Sequence, residues 1–156
     1  MNTPAVGSKH FLLRGKRFSA MGPFSLEGFL DWDDVEGGYD TDTWYDALIN
    51  VVLPCMKPYV DRGTQRCMLI LDGASIHRNQ RVVDACFRKG ILLYYLRPYC
   101  PDLNPIEDAF KQAKNFMRIN KRVLRDQSEV DQVVMALTSI QPEGAHAAFR
   151  GNGPWL

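Results

Sequence analysis

Residues 68–77 read Met68-Leu69-Ile70-Leu71-Asp72-Gly73-Ala74-Ser75-Ile76-His77, and the step from Leu71 to Asp72 decides the fold. Four consecutive apolar side chains closed by an acid and a glycine predict a buried strand whose carboxyl end exposes Asp72, the place where α/β sheets present functional groups. A second stretch answers it. Pro98-Tyr99-Cys100-Pro101-Asp102-Leu103-Asn104-Pro105-Ile106-Glu107 is a rigid turn handing the chain to a helix, with Asn104 suited to cap it and Pro105 to its first turn, where a missing N–H costs nothing. The 34 residues between Asp72 and Glu107 hold one helix and one strand, enough to bring the second acid back beside the first.

Working outward, residues 1–10 read as an irregular lead-in. Phe18 to Met21 and Gly28 to Val35 read as two strands of a hairpin joined near Pro23 to Glu27. Asp40 or Asp42 can cap a helix carrying Trp44, Ala47, Leu48, Val51 and Val52 at helical spacing until Pro54 stops it. Pro58 and Gly63 mark a loop. Asn79 to Lys89 has Val82, Val83, Cys86 and Phe87 on one face and Gly90 as a stop, and Ile91 to Leu96 forms a second buried strand, parallel to the first. The helix from Pro105 to about residue 120 carries Ala109, Phe110, Ala113, Phe116 and Met117. Further helices are expected over 130–140 and 142–149, so 104–156 is a helical carboxyl-terminal part of one domain spanning 1–156. Trp32, Trp44, Tyr94 and Tyr95 fall at apolar-periodic positions and are expected in the core.

Bulk properties exclude several classes. The 156 residues are 46% apolar and 24% charged with a net charge of +1, an ordinary globular composition able to bury one core and neutral toward polyanions as a whole. Cys55, Cys67, Cys86 and Cys100 have no short paired spacing, which argues against a zinc knuckle or disulfide framework. No apolar run approaches the roughly 20 residues of a membrane helix, and the polar start lacks a signal peptide's apolar segment. An intracellular protein is expected, nuclear if the source is eukaryotic.

The motif LDGASIH, followed some thirty residues later by YLRPYCPDLNPIEDAFKQAK, resembles the second half of the catalytic core of mariner-type transposases, the DDE superfamily endonucleases. Upstream, RGKRFSAMGPFSLEGFLDWDDVEGGYDTDTWYDAL resembles that family's strand, strand, helix segment, so the likeness covers nearly the whole chain. Gly73 stands where the family usually has Asn, and Arg97 and Cys100 replace commoner residues of the turn. The resemblance implies an RNase H-like mixed sheet flanked by helices and an activity of Mg²⁺- or Mn²⁺-dependent DNA cleavage and strand transfer, as in transposition and integration. It implies Asp72 and Glu107 as catalytic metal ligands, Asp72 bridging two ions. The family adds an earlier Asp on the first, central strand. That strand is expected to lie before residue 1, leaving an N-terminally truncated core that lacks its central strand and first acid. Asp31, Asp33, Asp34, Asp40 and Asp42 are expected away from the cleft. The gap would be met by His10 to Leu13 as a partial strand, by closure of the sheet, or by another chain.

Read from the residues alone, several roles stay open. Asp72 could simply end a strand and Glu107 favour a helix N-terminus through the dipole. His77 could line the cleft or pack within its loop, and Asn104 is a cap before it is a cleft contact. Ser75 has no base and orienting acid near it in sequence, which argues against a serine nucleophile. Lys111, Lys114, Arg118 and Arg122, with Lys121 and Arg125, form a basic stripe that suits the phosphate backbone of DNA or a solvated helix face. Lys9, Arg14, Lys16 and Arg17 form a smaller cluster with the same two readings. Besides an endonuclease core, the chain could be a non-catalytic DNA-binding or interaction module of transposon origin, an unrelated metal-dependent phosphoesterase, or one half of a homodimer.

Overall fold

The computed structural model describes residues 5–13, 16–61, 64–97 and 100–152. Its sheet has six strands: β1 (Ala5–Leu13), β2 (Lys16–Ser25), β3 (Gly28–Phe29), β4 (Asp33–Glu36), β5 (Met68–Leu71) and β6 (Leu92–Tyr95). The order is β3-β2-β1-β5-β6, with β4 paired to the other part of β2. β1 runs antiparallel to β2 and parallel to β5, and β5 runs parallel to β6. The helices are α1 (Thr41–Ala47), α2 (Gln80–Arg88), α3 (Pro105–Ile119), α4 (Lys121–Leu124), α5 (Glu129–Thr138) and α6 (Pro142–Gly151).

The expected lead-in is therefore not irregular, and the central position of the sheet is not vacant. β1 fills it, beginning at Ala5, well before the partial strand expected at His10 to Leu13. Ala5, Val6 and Phe11 have almost no exposed surface, and a central strand satisfies its backbone groups on both sides, which is what a buried segment requires. Strands alternate their faces. Ala5 and Phe11 join Ala20, Phe24 and Ile70 against α3, α5 and α6, while Val6 joins Met21, Leu69 and Leu71 against α1 and α2. Two cores thus clasp one sheet between helical layers.

Local signals account for the rest. The hairpin's second arm splits into β3 and β4, with Leu30 N–H bonded to Pro23 O in between. There a Cβ on Gly22 would stand 2.3 Å from Asp31 O, so only glycine permits the crossing. Asp40 caps α1 through the backbone N–H groups of Asp42 and Thr43. A wider π turn (Leu48–Val52) and a 3-10 turn (Leu53–Cys55) then carry that helix through Pro54. Asn79 caps α2, whose inward face is Val82, Ala85 and Cys86; Val83 and Phe87, expected inside, are exposed. Of the four aromatics expected in the core, Trp44 is fully buried, Trp32 and Tyr95 are half-buried, and Tyr94 is exposed because β6 is an edge strand with no helix over that face. Among the described residues no helix is long and apolar enough to cross a membrane.

Candidate metal and DNA site

Asp72 follows the last residue of β5, and the ladder closes beyond it through Leu96 N–H to Leu71 O. In the parallel pairing Val6 is opposite Leu71, so the next residue of β1, Gly7, comes beside Asp72. A Cβ on Gly7 would lie 3.0 Å from Ile106 Cγ2 and 4.0 Å from Asn104 Nδ2, which fixes the start of α3 against the same point. Asn104 caps that helix, its Oδ1 accepting from Ile106 N–H at 3.4 Å; Pro105 is the first helical residue and Glu107 the third. The absent side chain of Gly7 is what lets the helix approach. The two predicted acids consequently flank one glycine at one end of the sheet, Asp72 across the ladder and Glu107 one residue beyond Ile106.

Neither acid is sunk in a core. Asp72 keeps 43% of its side-chain surface and Glu107 is half-buried. Asp72 Oδ1 accepts from Ala74 N–H at 2.9 Å and lies 2.7 Å from His77 Nδ1. The loop between is held by His77 N–H to Ala74 O and Arg78 N–H to Ser75 O, both 3.1 Å. His77 does not line an open cleft: it is 2% exposed, its ring centroid is 4.4 Å from that of Trp44, and its carbonyl accepts from Tyr95 OH at 2.9 Å. Burial raises the Tyr95 phenol above its ordinary range. Asn104, 1% exposed, serves as a cap, and Ser75 is exposed in the turn. The Pro98-Tyr99 part of the turn, Gly63 and Arg14 lie outside the described residues.

Among the described residues no three His, Cys, Asp or Glu side chains gather as a metal-binding group. β1 itself, Ala-Val-Gly-Ser-Lys-His-Phe-Leu-Leu, carries no carboxylate. Asp33 is engaged by Tyr39 OH at 2.8 Å and Asp42 by Arg81 at 2.6 Å, both on the far side of the hairpin and α1.

The four proposed DNA contacts, Lys111, Lys114, Arg118 and Arg122, are all exposed. Their charges are not equally available. Lys111 Nζ is 2.7 Å from Asp108, and that bond lowers the Asp108 carboxyl below its usual range and raises the lysine. Lys114 lies 5.7 Å from the centre of the Phe11 ring, and Arg118 donates to Asn115 at 2.9 Å. Asp108 also accepts from Asn152 Nδ2 at 2.6 Å, tying the end of α6 to the turn that carries Glu107. Sequence reasoning missed Gly7 and Trp44 as parts of the site. A glycine in an aperiodic opening segment carries no local signal, and periodicity marks Trp44 only as core.

Residues 12–131 match the family model described as DDE superfamily endonuclease. No curated protein sequence matches the chain. Among solved structures, the Mos1 transposase catalytic domain with raltegravir and Mg is 15% identical, covering 99% of this chain and 85% of that one at a TM-score of 0.61. The Mos1 strand transfer complex is 14% identical over 99% of this chain and 55% of that one, at 0.55. The HTLV-2 integrase catalytic core in complex with magnesium, in its dimeric form, is 9% identical over 93% and 95%, at 0.59. The fold is the RNase H-like one of transposase and integrase catalytic domains.

Proposed function

Since this chain belongs to the DDE superfamily endonuclease family, we propose that it is a transposase-type domain that binds DNA and one hydrated divalent cation but does not cut DNA by itself. The observation that carries this reading is Gly7 beside Asp72. The central strand offers no carboxylate there, and the space is taken by Ile106.

The donor set decides what fits. Mg²⁺ takes hard oxygen ligands, keeps several waters and needs only one or two carboxylates, so Asp72 and Glu107 suit a single ion, Mg²⁺ or Mn²⁺. A pair of ions about 3.5–4 Å apart, needed to stabilise both the attacking and the leaving oxygen, calls for more ligands than this end of the sheet supplies. When bound, the ion would neutralise phosphate charge and lower the pKa of its water. The chain's own part is to orient Asp72 through the 72–79 loop, to hold Glu107 by the Asn104 cap, and to place Lys114, Arg118 and Arg122 along a duplex.

Nicking of supercoiled plasmid in Mg²⁺ or Mn²⁺ tests the reading, with Asp72→Ala as control. The expected result is no nicking above background in either protein. Nicking that disappears in Asp72→Ala would overturn it and show that another acid, in this chain or a second copy, completes the site. The dimeric integrase core supports a homodimer here, and sedimentation velocity reads the stoichiometry directly. A nuclear location in a eukaryotic cell follows from DNA binding, and a fluorescent fusion excluded from nuclei would contradict it. The alternative of an unrelated phosphoesterase gives way to the family match over residues 12–131.

A further inference from the structure

We propose that His77 is a positioning residue: from inside the protein it directs an Nδ1–H at Asp72 and sets the direction in which that carboxylate meets a divalent cation. The proposal rests on the reading of Asp72 as a metal ligand.

His77 is 2% exposed while the side chain of Asp72 is 43% exposed, with Nδ1 and Oδ1 2.7 Å apart. The imidazole thus stands behind the carboxylate and has no surface with which to reach DNA. Its pose is set from three sides: Trp44 lies against the ring, Tyr95 OH holds its carbonyl, and its N–H is bonded to Ala74 O. Ala74 in turn donates to the same Asp72 Oδ1. One oxygen of the acid therefore faces a backbone amide and an imidazole together. Groups behind a ligating carboxylate fix its orientation, and their loss costs metal affinity. The Nδ1 contact has the length of a hydrogen bond without its full alignment, which is common at reactive sites until the working complex forms.

Stability does not account for a histidine here. His77 Nε2 and Trp44 Nε1 are both buried with no hydrogen-bond partner, and each orphaned polar group costs about 1–3 kcal/mol. A leucine at 77 would cover Trp44 as well and remove part of that cost. The side chain retained is the one that presents Nδ1 to Asp72, and which ring nitrogen carries the proton is set by such a contact.

Two measurements test this. Long-range proton–nitrogen spectra of the metal-free protein should show His77 as the Nδ1–H tautomer; the Nε2–H tautomer would overturn the proposal without reference to any metal. Calorimetric titration with Mn²⁺ should then show His77→Leu binding about 10–100-fold more weakly than the parent, with a melting temperature equal or higher. His77→Asn, whose amide reaches the place of Nδ1, should bind close to the parent, and His77→Gln, whose amide reaches the place of Nε2, should behave like His77→Leu. Parent-like Mn²⁺ binding by His77→Leu, with binding abolished in Asp72→Ala, would sink the positioning role alone. No Mn²⁺ binding by the parent, or equal binding by Asp72→Ala, would remove the metal-site reading and the role of His77 with it.

Discussion

Strands β1 and β5 lie side by side in parallel at the middle of the sheet, and they part company after one matched pair. Val6 and Leu71 face each other and are both fully buried on the α1 and α2 side. The residue after Leu71 is Asp72; the residue after Val6 is Gly7. Packing asks the same of both strands, an apolar side chain and a complete ladder of backbone bonds, and both comply. Chemistry asks for a carboxylate after each, and only β5 supplies it. The requirements that preserve a fold are thus separate from those that preserve a reaction, because hydrogen-bonded ladders and buried area are indifferent to an acid at the strand's mouth.

The comparison is most severely tested at Val6. A carboxylate there would be buried between β2 and β5 without a partner, so Val6→Asp should lose more than about 4 kcal/mol and leave the chain largely unfolded. Urea titration followed by circular dichroism measures this, and a variant as stable as the parent would show that residues 5–13 are the dispensable lead-in that their sequence suggests. Supplying the missing group to β1 is the next largest change. Gly7→Asp alone presses its Cβ against Ile106 Cγ2 and should cost about 1–3 kcal/mol through overpacking. Gly7→Asp with Ile106→Ala removes that atom, and should tighten Mn²⁺ binding relative to Ile106→Ala alone. Equal calorimetric affinities in the two would mean that position 7 does not face the ion.

Away from the strands, the charged faces give smaller effects. Fluorescence anisotropy of a labelled duplex should show affinity falling with salt, and Arg118→Ala should reduce the slope of log K against log salt by about one. Binding that is absent at low ionic strength would leave the stripe as a solvated face. Lys111→Ala should change the slope less, because Asp108 already compensates that charge. The last effect is on pH. The Lys111 hydrogen bond, with Asn152, depresses the Asp108 carboxyl below 3.8 in the folded chain, so its contribution is complete above the unfolded value and is lost as pH falls through the lowered native one. Asp108→Asn should flatten that acid limb of the stability curve slightly, the pair being partly screened by solvent. An acid limb unchanged in slope would argue that the contact is not maintained in solution.

What the sequence determined by itself lies in short, locally enforced signals. The run 68–71 ending at Asp72 is a strand because every side chain in it is apolar. α3 begins at Pro105 because Asn104 can cap it and proline tolerates the first turn, which also puts Glu107 in that turn. The RNase H-like architecture followed from the same motifs. Tertiary structure alone decided the identity of the central strand. Gly7-Ser8-Lys9-His10 interrupts any apolar period, and the segment becomes a strand only because β2 and β5, the latter some sixty residues away, bond its two edges. It alone decided that His77 stands behind Asp72 rather than in the open, since Trp44 and Tyr95 arrive from other elements to bury it. Likewise Val83 and Phe87 share an apolar face with Val82 by periodicity, yet no element covers them. Caps, turns and apolar runs act within a few residues, whereas strand pairing and burial depend on what distant segments bring, and the third ligand of this site is a matter of pairing.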